Sequence, residues 1–221
     1  IGTPVDPSAW QMSPQTVNAY YEPTTNEICF PAAILQPPFF DLNADMAANY
    51  GAIGVVIGHE MTHGFDDQGR KYDKLGNVNN WWTEEDAARF NEKTKRLVAL
   101  FDEFQLIGLN INGQLTLGEN IADLGGLNIA YDALMLTQQG KSDTIIDGFT
   151  QAQRFFLSYA TIWRTNIRDK ALERNLQDDV HSPAEARVNR TLFTMPHFYE
   201  AFKINPEDKL FIELEKRAAI W

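Results

Sequence analysis

A chain of 221 residues with 44% hydrophobic and 22% charged side chains is an ordinary globular composition, with room for one sizeable core and at most two small domains. Lys and Arg total 19 against 30 Asp and Glu, a formal charge of −11, which argues against nucleic acid or an anionic membrane as the main partner. No apolar run reaches the roughly 18 residues of a membrane span, and the single cysteine, Cys29, excludes an intrachain disulfide.

Residues 1–16 are rich in Pro and polar side chains and read as loop. The opening "IGTPVDPSAW" is not a signal peptide. It begins at Ile1, so the chain is expected to be a piece of something longer or a processed product. Two β-prone runs, 17–22 and 27–30, flank a turn from Pro23 to Asn26 and predict a hairpin. Cys29 lies in the apolar "ICFPAAIL" and is expected to be a buried structural thiol.

Asn43 is the expected N-cap of a helix running to about Phe65, apolar on nearly all sides through "YGAIGVVIG" and ended by Gly64. Thr83 caps a second helix with Glu84, Glu85 and Asp86 in its first turn. Phe90, Thr94, Leu97, Val98, Phe101 and Phe104 give it one buried face. Further helices are expected over about 117–139, 150–166 and 169–176. Ser182-Pro183-Ala184-Glu185 reads as a capping box that opens another. The helix over 150–166 carries Phe155, Phe156, Tyr159, Ile162 and Trp163, more apolar surface than one stripe needs. Part of that face is expected to be exposed, or covered by another region or another copy. The fold class expected is mainly α with a small β element.

The chemistry concentrates in "VIGHEMTHGFDD". His59 and His63, at i and i+4, share one helix face and can take two corners of a tetrahedral zinc site. Glu60 is rotated off that face and can reach a water on the metal as general base. This is the His-Glu-x-x-His arrangement of zinc peptidases, which chance would produce in about 0.5% of such chains. A third ligand is needed. Glu119 in "TLGENIADLGG" is the candidate, with Asp123 on the same helix face to accept the free ring N–H of a ligating histidine. Thr116-x-x-Glu119 is equally a capping box, and spacing alone leaves both readings open.

"VNAYY", "FPAAILQPPFFD", "VIGHEMTHGFDDQGR", "WWT", "LGENIADLGGL" and "DVHSPAEARVN" together resemble, in order, the neprilysin family of zinc metallopeptidases. The resemblance spans almost the whole chain. It implies a zincin-like, thermolysin-like gluzincin catalytic domain over 1–221. Here the glutamate follows the second histidine by 119 − 63 = 56 residues. The resemblance implies one Zn2+ held by His59, His63 and Glu119, with Glu60 as base and Asp66 and Asp123 supporting the ligands. It makes Asn18 and Ala19 the grips on substrate backbone, agreeing with strand addition at an exposed edge. It gives His181 to transition-state stabilisation, where its position before Ser182 also reads as a surface histidine at a cap. Arg187 supports substrate binding, and Val56 and Trp163 line a pocket for a bulky apolar residue after the scissile bond.

Two departures matter. Ala218 stands where vertebrate members carry a cysteine, which points to a bacterial-type soluble member, cytoplasmic or exported. The family's large helical N-terminal region, which roofs the site and admits only oligopeptides, has no counterpart here. Three functions follow: an endopeptidase for oligopeptides, a zinc-stabilised module without catalysis, or a zinc-binding piece inactive without its roof. Intact Glu60, Asn18, His181 and Arg187 argue against the second.

Overall fold

The computed structural model describes residues 5, 6 and 8–220, so Trp221 and part of the expected N-terminal loop lie outside the described residues. The β-prone run from Val17 enters a ladder only at Tyr20. β1 (Tyr20–Glu22) and β2 (Glu27–Cys29) pair antiparallel with Tyr20 opposite Cys29. Asn26 takes the left-handed turn position at φ 54°. Cys29 is half-buried rather than buried, because a two-stranded ladder is covered on one face only.

The apolar helix begins later than expected. Asp45 is the N-cap, its carboxylate accepting the Ala48 N–H, while the Asn43 N–H is held at 2.8 Å by Asp41 in the preceding turn. The helix runs as α1 (Met46–Asn49), a π-helical stretch (Tyr50–Gly54) and α2 (Val55–His63). Hydrophobic periodicity carries no signal for a π segment, since every side of this stretch is apolar. Gly64 closes the helix with an ordinary right-handed backbone.

α3 (Glu84–Asp102) starts at Thr83, whose hydroxyl accepts the Asp86 N–H at 3.1 Å, and buries Phe90, Thr94, Leu97, Leu100 and Phe101. A short hairpin of β3 (Gln105–Leu106) and β4 (Leu109–Asn110) leads to α4 (Leu117–Leu136). α5 (Gln151–Ile162) has a full capping box from Thr150 and Gln153, and α6 (Asp169–Asp178) follows. α7 (Ala184–Leu192) and α8 (Pro196–Phe202) complete a mainly α architecture with a small β element.

α4 is buried through most of its length and packs most extensively on α2. Gly58 and Gly126 face each other at that crossing. A Cβ on Gly126 would lie 2.6 Å from the Val55 carbonyl oxygen and 2.7 Å from the His59 amide nitrogen. The two backbones touch, and this brings the chemistry of α4 within reach of α2.

The apolar face of α5 is not left open. Phe155, Phe156 and Tyr159 are at most 1% exposed. Tyr131 of α4 stacks on Phe156 at 5.5 Å, and Phe198 of α8 meets it edge-on at 5.3 Å. Chain elements before and after α5 cover these three rings from two sides, while Ile162 and Trp163 stay partly buried and Leu157 is exposed. A smaller cluster of Ala19, Ile34 and Ile53, with Phe39, Phe40 and Val56, ties the first hairpin to the start of α2.

Candidate metal centre and catalytic cleft

The two histidines occupy the last two turns of α2. Their rings meet edge-on with centroids 4.6 Å apart and Nε2 atoms 3.0 Å apart. Each Nδ1 already has a carboxylate: His59 with Asp123 at 2.9 Å, His63 with Asp66 at 2.7 Å. A carboxylate at Nδ1 keeps a proton there and leaves Nε2 to face the other ring. Asp66 is itself held by the amides of Gln68 and Gly69, both at 2.7 Å.

Glu119 completes the cluster from the first turn of α4. Its Oε2 lies 3.3 Å from His59 Nε2 and its Oε1 lies 3.6 Å from His63 Nε2. The capping-box reading of Glu119 fails: the Thr116 hydroxyl donates to the Asn112 carbonyl at 3.1 Å and accepts from Asn120 at 2.9 Å. Glu119 Oε2 is buried without a hydrogen-bond partner. Two imidazole Nε2 atoms and a carboxylate thus converge, with one ligand atom from each within 4.8 Å of the others. Tetrahedral zinc places N and O ligands roughly 3.3 Å apart, so the donor set fits that ion in chemistry and in spacing.

The electrostatics attract a cation. Burial disfavours a charged His59 ring, but Asp123 and Glu119 outweigh it and lift the ring to about 9. Burial pushes the Glu119 carboxyl up, yet His59, His63 and His181 bring it down to about 2. Asp123 is held well below the usual carboxylate range, since Arg187 and His59 overcome its burial. Glu60, next to the cluster, goes the other way, with burial raising its carboxyl against the partial opposition of the two histidines.

Every candidate ligand, catalytic or substrate-binding residue of the sequence lines one cleft of about 680 Å³: Asn18, Ala19, Val56, His59, Glu60, His63, Asp66, Glu119, Asp123, Trp163, His181 and Arg187. Arg187 makes a two-pronged contact with Asp123, at 2.7 and 2.6 Å, and its guanidinium sits 3.9 Å above the Trp163 ring. Its carbonyl accepts the Tyr159 hydroxyl at 3.2 Å. The exposed His181 brings Nε2 to 3.4 Å from Glu119 Oε1, and Asp179 holds its ring Nδ1 at 2.8 Å. Asn18 is exposed and Ala19 buried, just ahead of β1, whose outer edge is unpaired among the described residues.

The Ser182–Glu185 box is corrected. Pro183 is the N-cap of α7 and has no side-chain cap bond, because the Ser182 hydroxyl donates instead to Asn120 at 2.8 Å. That buried link pins the His181 segment to α4 one residue beyond Glu119. Sequence reasoning missed Asp179, Asn120 and Tyr159 as supports. Only the closeness of Asp179 to His181 and of Asn120 to Glu119 hinted at the first two.

A family model described as peptidase family M13 matches residues 18–218. The chain is 47% identical to Neprilysin-3 of Drosophila melanogaster over 217 residues, 95% of this chain and 27% of that protein. It is 43% identical to a neutral endopeptidase of Lactobacillus helveticus, covering 99% of this chain and 32% of the relative. The fold matches the Mycobacterium tuberculosis zinc metalloprotease ZMP1, solved with an inhibitor, at TM-score 0.96 and 49% identity, over 100% of this chain and 35% of that one. PepO of Lactobacillus rhamnosis gives 0.90 and 40%, over 98% and 33%. The chain therefore spans about a third, or less, of the length of these proteins. With a family model covering most of its residues and relatives of this likeness along nearly its whole length, the chain belongs to peptidase family M13, the neprilysin family.

Proposed function

We propose that this chain is the catalytic part of a zinc-dependent endopeptidase that hydrolyses oligopeptides and prefers a bulky apolar residue just after the scissile bond. The observation that carries the reading is the convergence of His59 Nε2, His63 Nε2 and the Glu119 carboxylate beside Glu60 in one cleft. His59, His63 and Glu119 would hold the ion, and Asp123 and Asp66 would orient the two rings through Nδ1. Bound zinc supplies Lewis-acid polarisation of the scissile carbonyl and of water.

The remaining work falls to this chain's side chains. Glu60, its carboxyl pushed up by burial, takes a proton from the attacking water and passes it to the leaving amine. His181, held by Asp179, donates to the carbonyl oxygen as negative charge builds there. Asn18 and Ala19 grip substrate backbone laid along the free side of β1. Val56 and Trp163 accept the apolar side chain. Arg187 fixes Asp123 and closes the pocket floor over Trp163.

A second reading rests on coverage: because the chain spans about a third of its relatives, it would bind zinc yet turn over nothing by itself. Cleavage of a quenched fluorescent peptide, with and without a chelator, separates the two. Chelator-sensitive cleavage supports the enzyme, and zinc uptake without cleavage supports the second reading.

A further inference from the structure

The cleft is a trough with two unlike ends, and the metal cluster lies between them. α2 and β1 run side by side in the same direction. Ala19 packs in the cluster with Ile53 and Val56 at the start of α2, while Tyr21 approaches Gly64 at its end. The Val56 end is apolar, with Ile34 and Phe39 packed in the same cluster, and Ile162 and Trp163 add further apolar lining to the cleft. The lining also includes Tyr21, which approaches Gly64, and Gln68, Lys71, Tyr72 and Val78 from the chain that follows His63, whose Gly69 lies against the His63 carbonyl.

Two side chains of the Lys and Arg type line the trough among the described residues, Arg187 and Lys71. Arg187 is committed to Asp123. Lys71 forms no salt bridge among the described residues; its ammonium donates to the Gln68 side-chain oxygen at 2.8 Å. Asp67 feels its charge without an ion pair. The lysine is also well placed. It ends a 3-10 turn, Gly69–Lys71, whose first amide is bound by Asp66, the partner of His63. A Cβ on Gly69 would meet the His63 carbonyl oxygen at 1.8 Å, so the turn lies directly on the end of the helix that carries the site.

We propose that Lys71 is a specificity-determining residue that selects peptides carrying an acidic side chain just before the scissile bond. This rests on the reading of the trough as a peptide site with its apolar pocket at the Val56 end. A peptide whose apolar residue sits there extends its preceding residues past His63 toward Lys71. The chain's charge of −11 disfavours acidic peptides elsewhere, so a fixed cation at this end discriminates by sign.

The test uses the zinc-loaded chain bearing Glu60→Gln, to suppress turnover, and two short peptides. Each has one phenylalanine, preceded at either of the two nearest positions by Glu or by its neutral isostere Gln. Calorimetric titration should give about 3- to 5-fold tighter binding for the Glu peptide, the upper part of the range for an exposed pair. High salt should shrink that ratio. Lys71→Ala should bring it to about 1, Lys71→Glu should invert it, and Lys71→Arg should keep it. Lys71 is exposed, so these variants should fold. Equal binding of the two peptides, or a preference that survives Lys71→Ala, overturns the proposal and leaves the peptide site standing. Failure of both peptides to bind sinks the peptide site and this proposal with it.

Discussion

At the scale of single residues the proposed function separates holding the ion from doing chemistry. Glu119→Ala removes one of the three proposed ligands and should abolish zinc retention, measured by metal analysis after dialysis. Glu60→Ala should keep the zinc and lose about 10²–10⁴ in turnover, since a general base is worth that much. Zinc loss from Glu60→Ala would make it a ligand instead. His181→Ala should lower kcat about 10²–10³-fold with KM and zinc content little changed, as expected for a donor that acts mainly in the transition state. A rise confined to KM would assign His181 to substrate binding. Asp179→Ala should follow His181→Ala in direction and fall short of it in size, because Asp179 only aims the ring.

At the scale of elements the α2–α4 crossing sets how well the ligands meet. Gly126→Ala drives a methyl into the Val55 carbonyl and the His59 amide, so α2 and α4 must part. Overpacking of this kind typically costs about 1–3 kcal/mol, and the thermal midpoint should fall by roughly 2–4 °C per kcal/mol. The parting also draws Asp123 from His59, so zinc affinity in chelator competition should fall about 10–100-fold. Gly54→Ala is the contrast. Its Cβ would meet nothing nearer than 3.5 Å, so stability and zinc affinity should hold. Equal loss of affinity in both variants would remove the crossing from the account.

For the molecule as a whole, metal binding and protonation are linked. His59, lifted to about 9, carries a second ring proton at neutral pH that zinc must displace from the cluster, whereas Glu119, at about 2, is already ionised. Zinc affinity should therefore rise with pH between 7 and 9, by up to about tenfold per unit. Calorimetry in buffers of different ionisation enthalpy should find about one proton released at pH 7. A pH-independent affinity would contradict the raised His59. Removing zinc should also lower the thermal midpoint, because the ion binds a site that only the folded chain assembles.

Some features of this protein are local, and these were legible in the sequence. His59, Glu60 and His63 hold their relation through the 3.6-residue helical turn, Thr83 caps its helix through contacts within one turn, and the Pro23–Asn26 turn closes a hairpin of neighbours. Other features depended on partners far away in the chain. Glu119 looked equally like a capping residue until Thr116 bonded Asn112 and Asn120 instead. Ser182 looked like a cap until its hydroxyl reached Asn120 across 62 residues. The aromatic face of α5 looked open because its covers, Tyr131 and Phe198, come from elements that no pattern within α5 can reveal. A hydroxyl, a carboxylate or an apolar ring satisfies its free energy with whichever partner the packed chain brings nearest. The spacing of residues determined which side chains could share a face, and the crossing of α2 and α4 decided which of them met.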